Sequence, residues 1–366
     1  MMMYNQIRED TLYIMLYAAV TVIAMLASCY LLFRRANAIA PDVTPPVRLR
    51  RWTAAFFAVF VVNHVWYMGP TFFLTSSEDI KITNLLGGLL DCMTFFPLAI
   101  VVLLTMLQDR RRPLWPVAVI VAPLVVGMVW SVATRSEALV PVLIGYLLLM
   151  SIGLIIYMVR ALRQYGRWLR DNYADLEHKE VWQSLAVLAI ILLGFCIYAS
   201  SGEGLYYEYL LQLFVVVLIG YLLWRVETLS ELDSPQSLEV DEESLMIEEQ
   251  IMNNDLGLLL QQHCIDTHLY LQHDLTVIQL AKVIGTNRTY LSQYFSSQGT
   301  TYNAYINNLR INHFVSLYRE VTASQQSISA KQLAHDSGYR SYSTFALAFK
   351  QRMGQTVHAW MHDMAE

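Results

Sequence analysis

Two stretches near the C-terminus, LTVIQLAKVIGTNRTYLSQYF (275–295) and ISAKQLAHDSGYRSYSTFALAF (328–349), decide how this chain is read. Each places an alanine four residues before a glycine, Ala281/Gly285 in one and Ala334/Gly338 in the other. A small residue lets two helices cross closely, and the glycine supplies the positive φ of a tight turn, so each stretch predicts a helix-turn-helix. Apolar anchors follow, Leu291 and Phe295 in the first copy, Phe345 and Phe349 in the second. Val277, Leu280, Ala281 and Ile284 share one helical face. After Gly285, Thr286 and Asn287 offer helix caps, and the next helix turns Arg288, Thr289, Ser292 and Gln293 outward. A face of hydroxyl, amide and guanidinium groups can read base edges and phosphates in a major groove. In the second copy Ser341, Tyr342 and Thr344 are the base-reading candidates, and Arg340 and Lys350 the phosphate contacts. Leu347 falls on the exposed face there, so the first copy is expected to read sequence and the second to clamp.

Outward from this repeat the composition changes. Of 366 residues 55% are hydrophobic and only 15% charged, against roughly 25% charged in soluble domains. The depletion sits in the first 225 residues, where long apolar runs alternate with short basic loops. Seven runs are long and apolar enough to be read as spans: 12–33, 52–74, 82–107, 113–133, 138–159, 185–200 and 205–224. The sixth is short, so a count of six stays open. Thirteen basic residues lie in the loops after spans one, three and five, against Arg8, Lys81 and Arg135 on the other side. Positive loops stay inside. The expected topology has the N-terminus outside and the repeat in the cytoplasm, in a bacterial inner membrane. The opening run lacks the basic start and the cleavage site of a secretory signal. The four cysteines show no metal or disulfide spacing.

Polar residues inside spans are candidate functional groups. Asp91 lies nine residues into the third span, and Asn63 and His64 lie at a similar depth in the second, roughly 10–13 Å below the outer surface at 1.5 Å per residue. These three are the candidate sensing site, open to an unknown small molecule or envelope signal. An Asp and a His within a bundle can equally bond each other or one of the 22 tyrosines and hold helices in register. Pro97 removes the helical partner of the Met93 carbonyl and predicts a kink just past Asp91.

From Glu227 to Glu249 the chain is acidic. Leu238, Leu245, Met252 and Leu259 recur every seven residues, a weak seam for a homodimer, though the companion positions are mostly acids. The last 111 residues carry a net charge near +2, too little to identify a nucleic-acid binder by charge alone. No phosphate loop, HExxH, GxSxG or kinase motif is present, so neither catalysis nor a cofactor or metal is expected.

The segment from Leu256 to Trp360 resembles the AraC/XylS-type transcriptional regulators. The matching positions are Ala281, Gly285, Leu291, Phe295, Arg310, Ala334, Gly338, Tyr339, Phe345, Phe349, Lys350 and Gly354. Thr356-Val357 departs from the family's Thr-Pro. The resemblance implies two helix-turn-helix units on a linking helix near 302–320, with recognition helices about 34 Å apart on one face of promoter DNA. RNA polymerase is a further partner it implies. The expected architecture is all-α: a transmembrane bundle of about seven spans (1–225), an acidic linker (226–255) and a double helix-turn-helix domain (256–366). The expected function is a membrane-embedded one-component regulator. A transporter or receptor using the C-terminal domain as a protein adaptor is the alternative.

Overall fold

The computed structural model describes residues 7–34, 36–41, 43–74, 76–177, 179, 182, 186, 189–190, 204–232, 252–324 and 329–364. Every named element among them is helical. The chain divides into two compact units, one built from 1–165 and 178–235, the other from 166–177 and 236–366. The expected span at 185–200, apart from 186 and 189–190, and the heptad positions Leu238 and Leu245 lie outside the described residues.

Among the described residues six helices are long and apolar enough to cross a membrane. They are α1 (Thr11–Phe33), α2 (Val47–Phe73), a third made of α3 (Ser77–Leu90) and α4 (Phe96–Thr105), α5 (Trp115–Thr134), α6 (Val140–Asn172) and α7 (Leu205–Thr228). Their outward faces carry large apolar side chains such as Leu26, Val126 and Leu149, each more than half exposed. Apolar surface on this scale needs a non-aqueous neighbour, which agrees with a lipid environment. Between α3 and α4 the residues Asp91–Phe95 form a π-helical turn, closed by the Phe96 N–H on the Asp91 carbonyl. Pro97, which has no N–H to give Met93, follows directly. The helix absorbs the missing bond by widening one turn, and the irregularity falls where the proline predicts it.

Glu227 opens the acidic run, yet its side chain is buried. It is 1% exposed. Its carboxylate accepts from the Tyr30 hydroxyl and from the backbone N–H groups of Ala38 and Ile39, both at 2.8 Å. Asn37 donates to its carbonyl at 2.9 Å. Arg50, also buried, donates to the carbonyls of Leu31 and Arg34 and to the Asn37 side chain. A buried charge is tolerated only with such a set of partners. Glu227 therefore anchors the end of α7 to the α1–α2 connection.

The second unit holds α8 (Met252–Leu260), α9 (Val277–Ile284), α10 (Arg288–Ser297), α11 (Tyr302–Ala323), α12 (Ala330–Asp336), α13 (Tyr342–Met353) and α14 (Val357–Asp363). It has two cores. Leu256, Leu260, Leu280, Leu291 and Phe295 fill the first, and Leu333, Phe345, Phe349 and Trp360 the second. α11 supplies both: Tyr302 and Ile306 go to one core, Ile311 and Phe314 to the other. The two halves are thus packed onto one 22-residue helix.

Candidate nucleic-acid interface

The repeat seen in sequence is a repeat of backbone geometry. Thr276 begins α9 with a reciprocal cap: its hydroxyl accepts from Gln279 N at 3.2 Å, and the Gln279 amide oxygen accepts from Thr276 N at 2.9 Å. The helix stops at Gly285, φ 75°, and Thr286 N donates back to the Ala281 carbonyl at 2.9 Å. In the second copy Ser329 caps α12, Gly338 has φ 88°, and Tyr339 N donates to the Ala334 carbonyl at 3.1 Å. The alanine-to-glycine spacing is the spacing of this C-terminal cap. Gly338 carries a second constraint. A Cβ there would lie 2.8 Å from the backbone of Leu271 and 3.1 Å from Arg310 Nε.

Arg310 on α11 ties the halves together. It is 1% exposed and donates to the carbonyls of Tyr270 (2.7 Å), Gln272 (2.6 Å) and His273 (3.3 Å). Its guanidinium lies over the Tyr339 ring of the second copy, 5.5 Å from the centroid. Burial lowers its pKa, and Asp175 and Asp274 lie within electrostatic range.

The reading candidates fall into two groups. Asn287 and Ser341 are the N-caps of α10 and α13, their side-chain oxygens accepting from Tyr290 N (3.0 Å) and Thr344 N (3.3 Å). Cap geometry and base contact would compete for the same oxygen, and in the structure the caps hold it. Thr289 and Gln293 are exposed on α10, and Ser292 is half-buried beside them. Arg288, the first residue of α10, is half-buried, and burial lowers its pKa. On α13 Tyr342 and Lys350 are exposed and Thr344 half-buried. Arg340 is exposed but paired with Asp274 at 3.1 Å, a surface ion pair of small energetic weight that leaves donors for phosphate. Leu347 is 60% exposed, as its place in the repeat predicts. Val357, where the family has proline, is buried at the first position of α14, and the Thr356 hydroxyl caps that helix.

Residues 280–363 match the family model described as a helix-turn-helix domain. This segment is an AraC-type helix-turn-helix domain. It is the domain of a DNA-binding transcription regulator, not of an enzyme family. No curated protein and no solved structure matches the chain. Sequence reading missed one part of the second unit: residues 166–177, separated from the rest of it by 178–235, are packed into it.

The intramembrane candidates separate. Asn63 donates to Asp91 at 2.7 Å, and the Tyr67 hydroxyl donates to the other carboxylate oxygen at 2.6 Å. His64 points elsewhere, because neighbouring helical residues differ in direction by about 100°. Its ring stacks on Tyr17 at 3.6 Å, and its Nδ1 lies 2.7 Å from the Thr21 hydroxyl. Thr21 already donates to the Tyr17 carbonyl, so Nδ1 of His64 is the donor and Nε2 carries the lone pair. Tyr13, four residues before Tyr17, donates to Glu208 at 3.0 Å. Tyr13, Tyr17 and Thr21 recur every four residues along α1, a polar stripe that helical spacing could have revealed. Among the described residues Asn63 Oδ1, His64 Nε2 and Gln212 Oε1 are buried acceptors without a hydrogen bond. Gln212 lies beside His64, and turning its amide would close that pair. The Asn63 oxygen has no such remedy, since its amide nitrogen is held by Asp91.

Proposed function

We propose that this protein is a membrane-embedded one-component transcription regulator. The AraC-type domain binds promoter DNA sequence-specifically on the cytoplasmic side of a bacterial inner membrane, and the helical bundle senses a signal from outside. The observation that carries the reading is the presence, in one chain, of six apolar helices and two capped recognition helices mounted on a shared α11. The basic loops at 34–51, 110–112 and 160–179 support an inside location for the C-terminal unit. Asn63, His64 and Asp91 are the proposed sensing residues, joined by Tyr17, Thr21 and Gln212. The buried Asn63 oxygen suits a ligand that brings a hydrogen-bond donor.

The test is selection of a randomised duplex library by the purified full-length chain in lipid nanodiscs at low salt. One recurrent motif in two parts, about one helical turn apart, is the expected product. Its affinity should fall steeply with salt, as phosphate contacts require. Arg288→Ala should weaken it by roughly 1–3 kcal/mol. If no sequence is enriched, the DNA-reading assignment is wrong.

A further inference from the structure

The segment Gly166–Glu177 belongs to the second unit by packing, although its first seven residues, Gly166–Asn172, are the C-terminal end of α6. At 33 residues α6 is about 50 Å long, well beyond the roughly 30 Å a hydrocarbon core requires. Its final turn runs into an extended strap. Tyr173 forms an antiparallel bridge with Thr276, and Ala174 N donates to the Leu275 carbonyl at 3.2 Å. The Asn303 amide on α11 holds the strap from the other side, donating to the carbonyls of Tyr173 (3.1 Å) and Ala174 (2.7 Å). Ala174, 2% exposed, is part of the first core.

Besides Arg167 and Arg170, the segment carries three acids, Asp171, Asp175 and Glu177. Asp171 and Tyr173 are the electrostatic neighbours of Arg288, at the start of α10. Glu177 accepts from the Thr344 hydroxyl at 3.3 Å, in the first turn of α13. Asp175, 4% exposed, sits within electrostatic range of Arg310 and Tyr339. The segment therefore bonds the first turn of α13 through Glu177 and lies within electrostatic range of the start of α10 through Asp171, which Arg170 and Arg167 also face. Those turns are the parts that enter major grooves, and helix N-termini favour whichever anion is present, carboxylate or phosphate. We propose that Gly166–Glu177 is a competitor in cis for DNA, which must leave the reading face before the AraC-type domain can engage a duplex. Because the strap continues α6 without a break, displacement of that helix is the input that would pull it away. This inference rests on the reading of the domain as a DNA binder.

The test uses the full chain in nanodiscs with the duplex obtained by the selection above, and a Tyr173→Cys/Thr276→Cys pair in a Cys29→Ser/Cys196→Ser background. Paired residues across an antiparallel bridge lie within disulfide reach. Oxidation should lock the strap down and weaken DNA binding at least tenfold, with recovery on reduction. Equal affinity in both states overturns the proposal while leaving the DNA-reading assignment intact. Two further variants release the strap. Asn303→Ala, which removes both carbonyl clamps, should tighten binding roughly 5- to 100-fold. Glu177→Gln, a partly exposed position with little bearing on folding, should tighten it more than Asp266→Asn, which neutralises an exposed acid outside the strap. If Glu177→Gln binds no better than Asp266→Asn, the strap is a structural brace and not a competitor.

Discussion

Replacing Arg310 by methionine should loosen both halves of the AraC-type domain together. Methionine keeps much of the volume and discards the guanidinium. The Tyr270 carbonyl then loses a 2.7 Å charge-assisted bond in a buried site, and an abandoned buried acceptor costs about 1–3 kcal/mol. The Gln272 carbonyl loses a 2.6 Å bond but keeps the Leu275 N–H at 3.4 Å, and the 3.3 Å bond to His273 is weaker at the outset. Against these losses stands relief from burying a cation, the same cost that lowers the Arg310 pKa. The net destabilisation is about 3 kcal/mol, or roughly a hundredfold in the opening equilibrium. Hydrogen exchange of the full chain in nanodiscs reads this locally: amides of α9 and α13 should lose protection in parallel. Arg310→Lys should fall between, because an ammonium cannot span the carbonyls as the planar fork does. A methionine variant within 1 kcal/mol of the parent, or a lysine variant indistinguishable from it, would refute the account of Arg310 as the tie between the halves.

Other consequences can be checked with the same preparations. Gly338→Ala should cost about 3 kcal/mol or more, combining positive φ with overlap on the Leu271 backbone. Gly285→Ala, where nothing lies within 4 Å, should cost only about 1–2 kcal/mol; equal losses in exchange protection would contradict the close approach. His313 faces His268 and the Tyr270 hydroxyl, with Glu320 as the opposing charge, and burial is the main cause of its lowered pKa. A lowered histidine pKa means the folded state binds fewer protons. Its contribution to stability is full above the unfolded value of roughly 6.5 and fades as pH falls through the folded one. His313→Gln should flatten that acid limb, seen as a smaller fall in exchange protection below pH 6.5. In the bundle, Asp91→Leu strands the donors of Asn63 and Tyr67 and should cost about 2 kcal/mol or more. Asp91→Asn should cost less, since a tyrosine hydroxyl can also accept. Equal melting temperatures for these two variants would argue against the carboxylate as the hub.

The features legible in the sequence are those set by local rules. Ala281/Gly285 and Ala334/Gly338 announce a cap that depends on five consecutive residues, and the anchors Leu291, Phe295, Phe345 and Phe349 are all buried to 1% or less. Depth along a helix is also a local quantity, which is why Asn63 and Asp91 could be placed at one level before their 2.7 Å bond was seen. Direction around a helix is harder to use. His64 shared that depth and faces Tyr17 and Thr21 instead. Long-range partners left no trace. Glu227 looks like any other acid in an acidic run, because Tyr30 and Asn37 are some 190 residues away. The strap at 166–177 reads as a basic loop beside a membrane, because Asn303 and Leu275 lie a hundred or more residues downstream. Asn287 and Ser341 show a different limit: caps and base readers draw on the same residue types at the same helix ends.

The sharing of α11 between two cores bears on the DNA as much as on the protein. With Ile306 committed to one half and Ile311 to the other, four residues of a single helix lie between the anchor points, and the helix is continuous across them. On the proposed function, the two copies form a ruler of fixed length. An operator for such a device is one word, not two half-words joined by a variable spacer. Inserting five base pairs between the contacted segments would turn one of them to the far side of the duplex, and the domain could not follow by bending. Sites for this protein in a genome should therefore share one phasing, with variation confined to the bases themselves.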